Sequence, residues 1–147
     1  MRNVQDILKY PKTYNAKMFL LDKINDTLYN KKCGSEGEDL AVDYLKKKGY
    51  IILDRNYKFG RQGEIDIIAQ NDNCLIFVEV KTRTNHAFGK PTDQITYRKI
   101  NNLYHAANGY LYKKKINNID CRFDAVFIDL SDKKAPIIEH VENAYYL

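Results

Sequence analysis

The chain has 147 residues, 44% of them hydrophobic, which fits one domain with an adequate core. Its net charge of +5 and pI near 9.0 permit a polyanionic partner such as a nucleic acid. No apolar run is long enough to span a bilayer, and Met18-Phe19-Leu20-Leu21 is too short for the core of a signal peptide. Three cysteines, Cys33, Cys74 and Cys121, lack metal-site spacing and read as reduced thiols of a cytoplasmic protein, the last two as packing residues in strands.

In chain order, residues 1–29 form an arm with Met18, Leu21, Ile24 and Leu28 near helical spacing, read as one or two helices. Ser35 is expected to open the next helix, which runs to about Lys48 and stops at Gly49. Its apolar arc contains Leu40, Ala41, Val42, Tyr44 and Leu45, and Glu38 falls inside that arc. Two readings of Glu38 stand: an acid aimed at a site, or the partner of Ser35 in a capping box.

Strands are expected over Tyr50 to Tyr57, Glu64 to Gln70 and Cys74 to Lys81, with a basic loop from Lys58 to Gly63 between the first two. Thr82 to Pro91 reads as a polar loop in which His86 faces solvent. A helix over Thr92 to Tyr112 follows, with Lys99 at the edge of its apolar arc, either snorkelling or reaching for phosphate. A strand from Cys121 to Leu130, a turn and a short edge segment from Pro136 to Val141 complete the order α-β-β-β-α-β. That order predicts an α/β fold with a central mixed sheet flanked by helices.

The chemistry concentrates in Glu64-Ile65-Asp66 and Glu79-Val80-Lys81, charged residues inside otherwise buried apolar strands. Such charges are costly unless paired or bound to a cation. Asn71-Asp72-Asn73 signals a hairpin turn. With Asp72 and Asn73 as a two-residue loop, Asp66 falls opposite Glu79 and Glu64 opposite Lys81; a four-residue loop keeps that parity and a three-residue loop breaks it. Two carboxylates so placed share a proton or hold a hard cation, and oxygen ligands select Mg²⁺, Mn²⁺ or Ca²⁺ over zinc. The plainer reading is a solvated ladder in which Glu64 pairs with Lys81.

An Asp followed one strand later by Glu-x-Lys resembles the PD-(D/E)XK nuclease signature, and the wider pattern resembles the YraN family, largely uncharacterised and similar in fold to Holliday-junction resolvases. The matching residues are Gly34, Glu38, Ala41, Tyr44-Leu45, Gly49-Tyr50, Asn56, Gly63 to Ala69, Phe77 to Lys81, Arg83, Lys99, Arg122-Phe123-Asp124 and Asn143-Ala144. Two departures are the arm of residues 1–29, which the family usually lacks, and Ile65, where the nuclease signature has proline. The resemblance implies a restriction-endonuclease-like core over residues 30–147 and Mg²⁺- or Mn²⁺-dependent DNA hydrolysis. Asp66, Glu79 and the Val80 carbonyl would hold the ion, Lys81 would serve the attacking water, and Glu38 would assist. Glu64 would support Lys81, and Arg61, Arg83 and Lys99 would contact DNA. Related resolvases act as dimers, so a homodimer is the expected assembly. The alternatives are a nucleic-acid-binding module without chemistry and a subunit of a larger complex.

Overall fold

The apolar strand segments pair into one five-stranded sheet in a computed structural model of the chain, which describes residues 16–61, 63–84 and 96–145. The elements are α1 (Ala16–Lys47), β1 (Ile51–Phe59), β2 (Gly63–Asn71), β3 (Cys74–Arg83), α2 (Tyr97–Lys114), β4 (Asp120–Asp129) and β5 (Ile137–Val141). Spatial order follows chain order. The β1–β2, β2–β3 and β4–β5 pairs are antiparallel and β3–β4 is parallel. A parallel pair needs a long connection, and α2 supplies it. His86 and the expected start of this helix at Thr92 lie outside the described residues; the described helix is capped by Thr96, whose side chain accepts from the Lys99 N–H.

Two units divide the chain, Met1–Lys32 and Cys33–Leu147. In the first, the described part is helical from Ala16, with Ile24, Leu28 and Tyr29 exposed. In the second, two apolar layers sandwich the sheet. Ala41, Val42 and Leu45 of α1 pack on Ile67, Ile76, Val78 and Val126. Leu103, Ala106 and Tyr110 of α2 pack on Ile68, Phe77 and Phe123 from the opposite face. Each fully buried Ile, Leu or Phe in these layers contributes about 1.5–3 kcal/mol.

Ser35 does not open a helix. It lies well inside α1, so the helix supplies its own hydrogen bonds there and a capping box has no free N–H groups to satisfy. Gly34 and Gly37 do not break the helix, since an interior glycine costs only about 1 kcal/mol against alanine. Gly37 also has a reason to be bare: a Cβ there would collide with the Thr82 side chain of β3. The other end follows expectation. Gly49 takes φ 88°, the Tyr50 N–H donates to the Leu45 carbonyl and the Gly49 N–H to that of Lys46, which is the Schellman arrangement.

Several boundaries move. β1 extends through Lys58 to Phe59, and β3 includes Thr82 and Arg83, both expected in loops. Cys121, expected to pack, is exposed, whereas Cys33 is buried; all three thiols are free.

Within β1 and β2 the sheet reverses its faces at one place. Arg55 reaches Asp39 of α1 at 2.7 Å, yet Tyr57 packs edge-on against Tyr110 of α2, with ring centroids 5.0 Å apart. Ile67 likewise belongs to the α1 layer and Ile65 to the α2 layer. Residues two apart on a regular strand share a face. Here they do not, because Asn56 between them has φ 51°, a left-handed conformation that asparagine tolerates. The pairs Arg55↔Ile67 and Tyr57↔Ile65 bracket Asn56 on one strand and Asp66 on the other. The kink therefore falls at Asp66, the first of the two acids expected to hold a cation.

Candidate active site

The two-residue loop sets the register. Asn71 pairs with Cys74, and the pairing continues to Ile67↔Val78, where it ends. One step further on lie Asp66 and Glu79, at the point where β2 leaves β3. The ladder bond that Val80 would make to β2 is replaced by a side chain: its N–H donates to Asp66 Oδ2 at 2.7 Å. The carbonyl of a strand residue points to the same side as its N–H, so the Val80 carbonyl also faces this open seam.

Glu79 is only 2% exposed. Lys81 Nζ lies 2.8 Å and Lys99 Nζ 3.0 Å from its Oε1. Its Oε2 is buried and has no hydrogen-bond partner among the described residues. Lys99, at the first turn of α2, thus reaches into the site rather than lying along the helix surface. Burial, then the charge of Glu79, pushes the Asp66 carboxyl up to about 7. The Val80 N–H and Lys99 oppose that rise, and Glu38 adds to it. Asp66 therefore feels Lys99 from α2 and Glu38 from α1. Glu38 is also 3.9 Å from Arg55, whose guanidinium binds Asp39 more closely.

The expected pairing of Glu64 with Lys81 does not form. Beyond Ile67 and Val78 the strands no longer pair, so Glu64 turns to Lys58 of β1 at 3.6 Å while Lys81 turns to Glu79 on its own strand. Arg61 stands exposed at the turn between β1 and β2. Arg83 is committed to the protein itself: its Nε and a terminal nitrogen both donate to Asp129 Oδ2, at 2.8 and 2.6 Å. Hydrogen bonds from Ser131, with Arg83 beside it, hold the Asp129 carboxyl down at about 2.

A second polar cluster lies behind the sheet. Asp124, fully buried, accepts from Arg122 Nε at 3.0 Å and from the Asn143 N–H at 3.0 Å, and meets His140 Nε2 at 2.9 Å. Lys48 Nζ is 3.4 Å from His140 Nδ1. An ammonium only donates, so Nδ1 carries the lone pair and Nε2 the proton that faces Asp124. Arg122 continues to the Tyr50 hydroxyl at 2.7 Å and to Glu142 at 3.4 Å. One buried carboxylate thus ties the turn after β5 to β4.

Sequence reasoning missed Tyr145. It is 6% exposed, belongs to the α2-side core, and its buried hydroxyl has no hydrogen-bond partner among the described residues. The adjoining Asn143-Ala144 was a signal for the turn, but no periodicity could aim the following ring.

The donor set suits a hard cation in one respect and limits it in another. Carboxylate and carbonyl oxygens with an unsatisfied Oε2 match Mg²⁺ or Mn²⁺. Among the described residues, however, no three His, Cys, Asp or Glu side chains converge to complete a cage. Water and substrate oxygens would have to fill the remaining positions, as Mg²⁺ commonly allows.

A mixed sheet with a helix on each face, and acids where two central strands part, defines an α/β protein of the restriction-endonuclease-like class. More particularly, the chain belongs to the uncharacterised protein family UPF0102, the YraN family, whose profile matches residues 37–128. A UPF0102 protein of Alkaliphilus oremlandii is 48% identical over 118 residues, covering 79% of this chain and 99% of the relative. One from Clostridium botulinum strain Hall is 43% identical over 120 residues, covering 80% and 97%. None of the helices in the described residues is long and apolar enough to cross a membrane.

Proposed function

We propose that the protein is a metal-dependent nuclease that hydrolyses DNA phosphodiester bonds, with Asp66, Glu79 and the Val80 carbonyl as cation ligands. The observation that carries this reading is the buried, unpartnered Oε2 of Glu79 beside an Asp66 carboxyl whose proton is held by burial and then by the charge of that neighbour. A bound Mg²⁺ or Mn²⁺ would polarise the scissile phosphoryl group and acidify a water. Lys81 and Lys99 neutralise Glu79 in its absence. With the carboxylate engaged elsewhere, Lys81 is free to orient the attacking water and Lys99 to meet a phosphate oxygen. Hydrolysis then joins the water oxygen to phosphorus, breaks one P–O ester bond and releases a proton to solvent. Glu38 assists from α1. Arg61 offers an exposed phosphate contact, and Arg83 contributes only the N–H groups that Asp129 leaves free.

Branched or flapped DNA and a homodimer matching a two-fold junction complete the reading on kinship of fold, and a cytoplasmic location on the three free thiols. A second reading, DNA binding without chemistry, is separated by experiment. Branched and single-stranded DNA is incubated with Mg²⁺ or Mn²⁺ and the native chain, Asp66→Ala, Glu79→Ala or Lys81→Ala. Cleavage by the native chain, reduced at least about a hundredfold in each variant, is expected. Activity that survives all three substitutions sinks the assignment, and DNA binding that is equal in EDTA and Mg²⁺ with no cleavage favours the binder.

Because a cation binds the ionised carboxylate, Mn²⁺ affinity should climb about tenfold per pH unit below the Asp66 value of about 7 and level off above it. Calorimetric titrations at pH 6, 7 and 8 measure this, and a flat profile would show that Asp66 is not a ligand.

A further inference from the structure

The chain turns back towards the site after β5 because of two hydrogen bonds. The Asn143 N–H donates to Asp124 Oδ1 at 3.0 Å, and the Ala144 N–H donates to the Phe123 carbonyl at 2.8 Å. Asn143 itself adopts φ 50°. The turn delivers Tyr145 to the α2 side of the sheet, among Phe77, Phe123 and Tyr110. Packing alone accounts for the ring but not for the hydroxyl. Phenylalanine would fill the same space without burying a polar group that lacks a partner. The hydroxyl also lies in the field of the site: burial first, then the charges of Glu79 and Asp66, pushes it well above the ordinary phenol range. It therefore remains a donor at any working pH.

Among the unpartnered buried atoms, the acceptor Oε2 of Glu79 and the donor hydroxyl of Tyr145 are both on the α2 side of the sheet, where Lys99 of α2 meets Glu79 and where Phe77, two residues from Glu79 on β3, shares a core layer with Tyr145. Lys81 and Lys99 both approach Glu79 through Oε1, the other oxygen of the carboxylate. We propose that Tyr145 is a positioning residue of the cation site, its hydroxyl completing with Glu79 Oε2 the polar wall that holds a water of the hydrated ion. A donor is what such a water's oxygen or a neighbouring phosphate oxygen accepts, and the carboxylates cannot supply one. The inference rests on the cation site proposed above.

Tyr145→Phe tests it, because the ring stays and only the hydroxyl is lost. Mn²⁺ binding is measured by calorimetry for the native chain, Tyr145→Phe and Asp66→Asn, and thermal unfolding is recorded in EDTA. The expected result is about a tenfold loss of Mn²⁺ affinity in Tyr145→Phe, the scale set by outer partners of metal ligands. Its unfolding midpoint in EDTA should be unchanged or higher. Unchanged affinity overturns the inference alone, as does a lowered midpoint in EDTA with native affinity, which marks a structural hydroxyl. A native chain that binds no Mn²⁺, or binds it equally after Asp66→Asn, overturns the cation site and this inference together.

Discussion

Asp66→Asn should leave the protein without cation affinity and yet about 2 kcal/mol more stable at pH 8. The two effects share one cause. Folding raises the Asp66 carboxyl from its ordinary range to about 7, chiefly by burial and then by Glu79. Each unit of such a rise costs about 1.4 kcal/mol once the group is ionised. The amide removes that cost but accepts less strongly from the Val80 N–H, which returns part of it. The sign against pH follows. A carboxyl with a raised folded value stabilises below the ordinary carboxylate range, and that contribution is lost as pH rises through about 7. Native stability in EDTA should therefore fall across pH 4–7 from this group, and the asparagine variant should lack that fall. Urea unfolding at pH 5, 7 and 8 measures both. A variant less stable than native at pH 8 would mean that Asp66 is held by protein partners, not kept for a ligand.

The largest loss of stability is expected at the other carboxylate. Asp124→Ala should cost about 3–5 kcal/mol, because it strands the buried His140 imidazole and takes from the half-buried Arg122 guanidinium its nearest carboxylate, leaving it Tyr50 and Glu142. It also removes the acceptor of the Asn143 N–H, and so loosens the turn that leads to Tyr145. Burial works against the charge of Asp124, yet hydrogen bonds from His140, Arg122 and the Asn143 N–H outweigh it and hold the carboxyl below its ordinary range. Its stabilisation is present above the ordinary carboxylate range and is lost as pH falls through the lowered value. Asp129 behaves alike, down to about 2. Acid and alkali thus draw on different carboxylates: Asp124 and Asp129 fail on acidification, and Asp66 relaxes. Chemical denaturation of Asp124→Ala at pH 7 is the check. A loss under 1 kcal/mol would show that water replaces the carboxylate and that the cluster is not a clamp.

The contrast between these acids has a physical basis. Asp124 is surrounded by donors that come from the chain itself. Asp66 has one backbone N–H, and Glu79 has two ammonium groups on one oxygen and none on the other. Removing a satisfied carboxylate unmakes the fold, whereas removing an unsatisfied one should unmake only the ligand site.

Local pattern was enough for much of this protein. The alternation and length of the apolar runs placed four strands and marked the fifth only as a short edge segment, and Asn71-Asp72-Asn73 signalled the hairpin; the structure selects the two-residue loop among the lengths that the sequence allowed, and that register brings Asp66 level with Glu79. Gly49 ended α1 because only that residue type enters a left-handed cap freely. Long-range packing decided the rest. Whether Ser35 began a helix depended on the residues before it, and the helix ran through. Lys81 chose Glu79 over Glu64 because β2 and β3 part beyond Ile67 and Val78, beside a kink at Asn56 and Asp66 that strict alternation cannot express. Tyr145 reached the α2-side core only through a turn held by a carboxylate on another strand. Side-chain periodicity reports which way a residue faces along its own segment; which distant charge it meets is settled when separate segments compete for the same buried space.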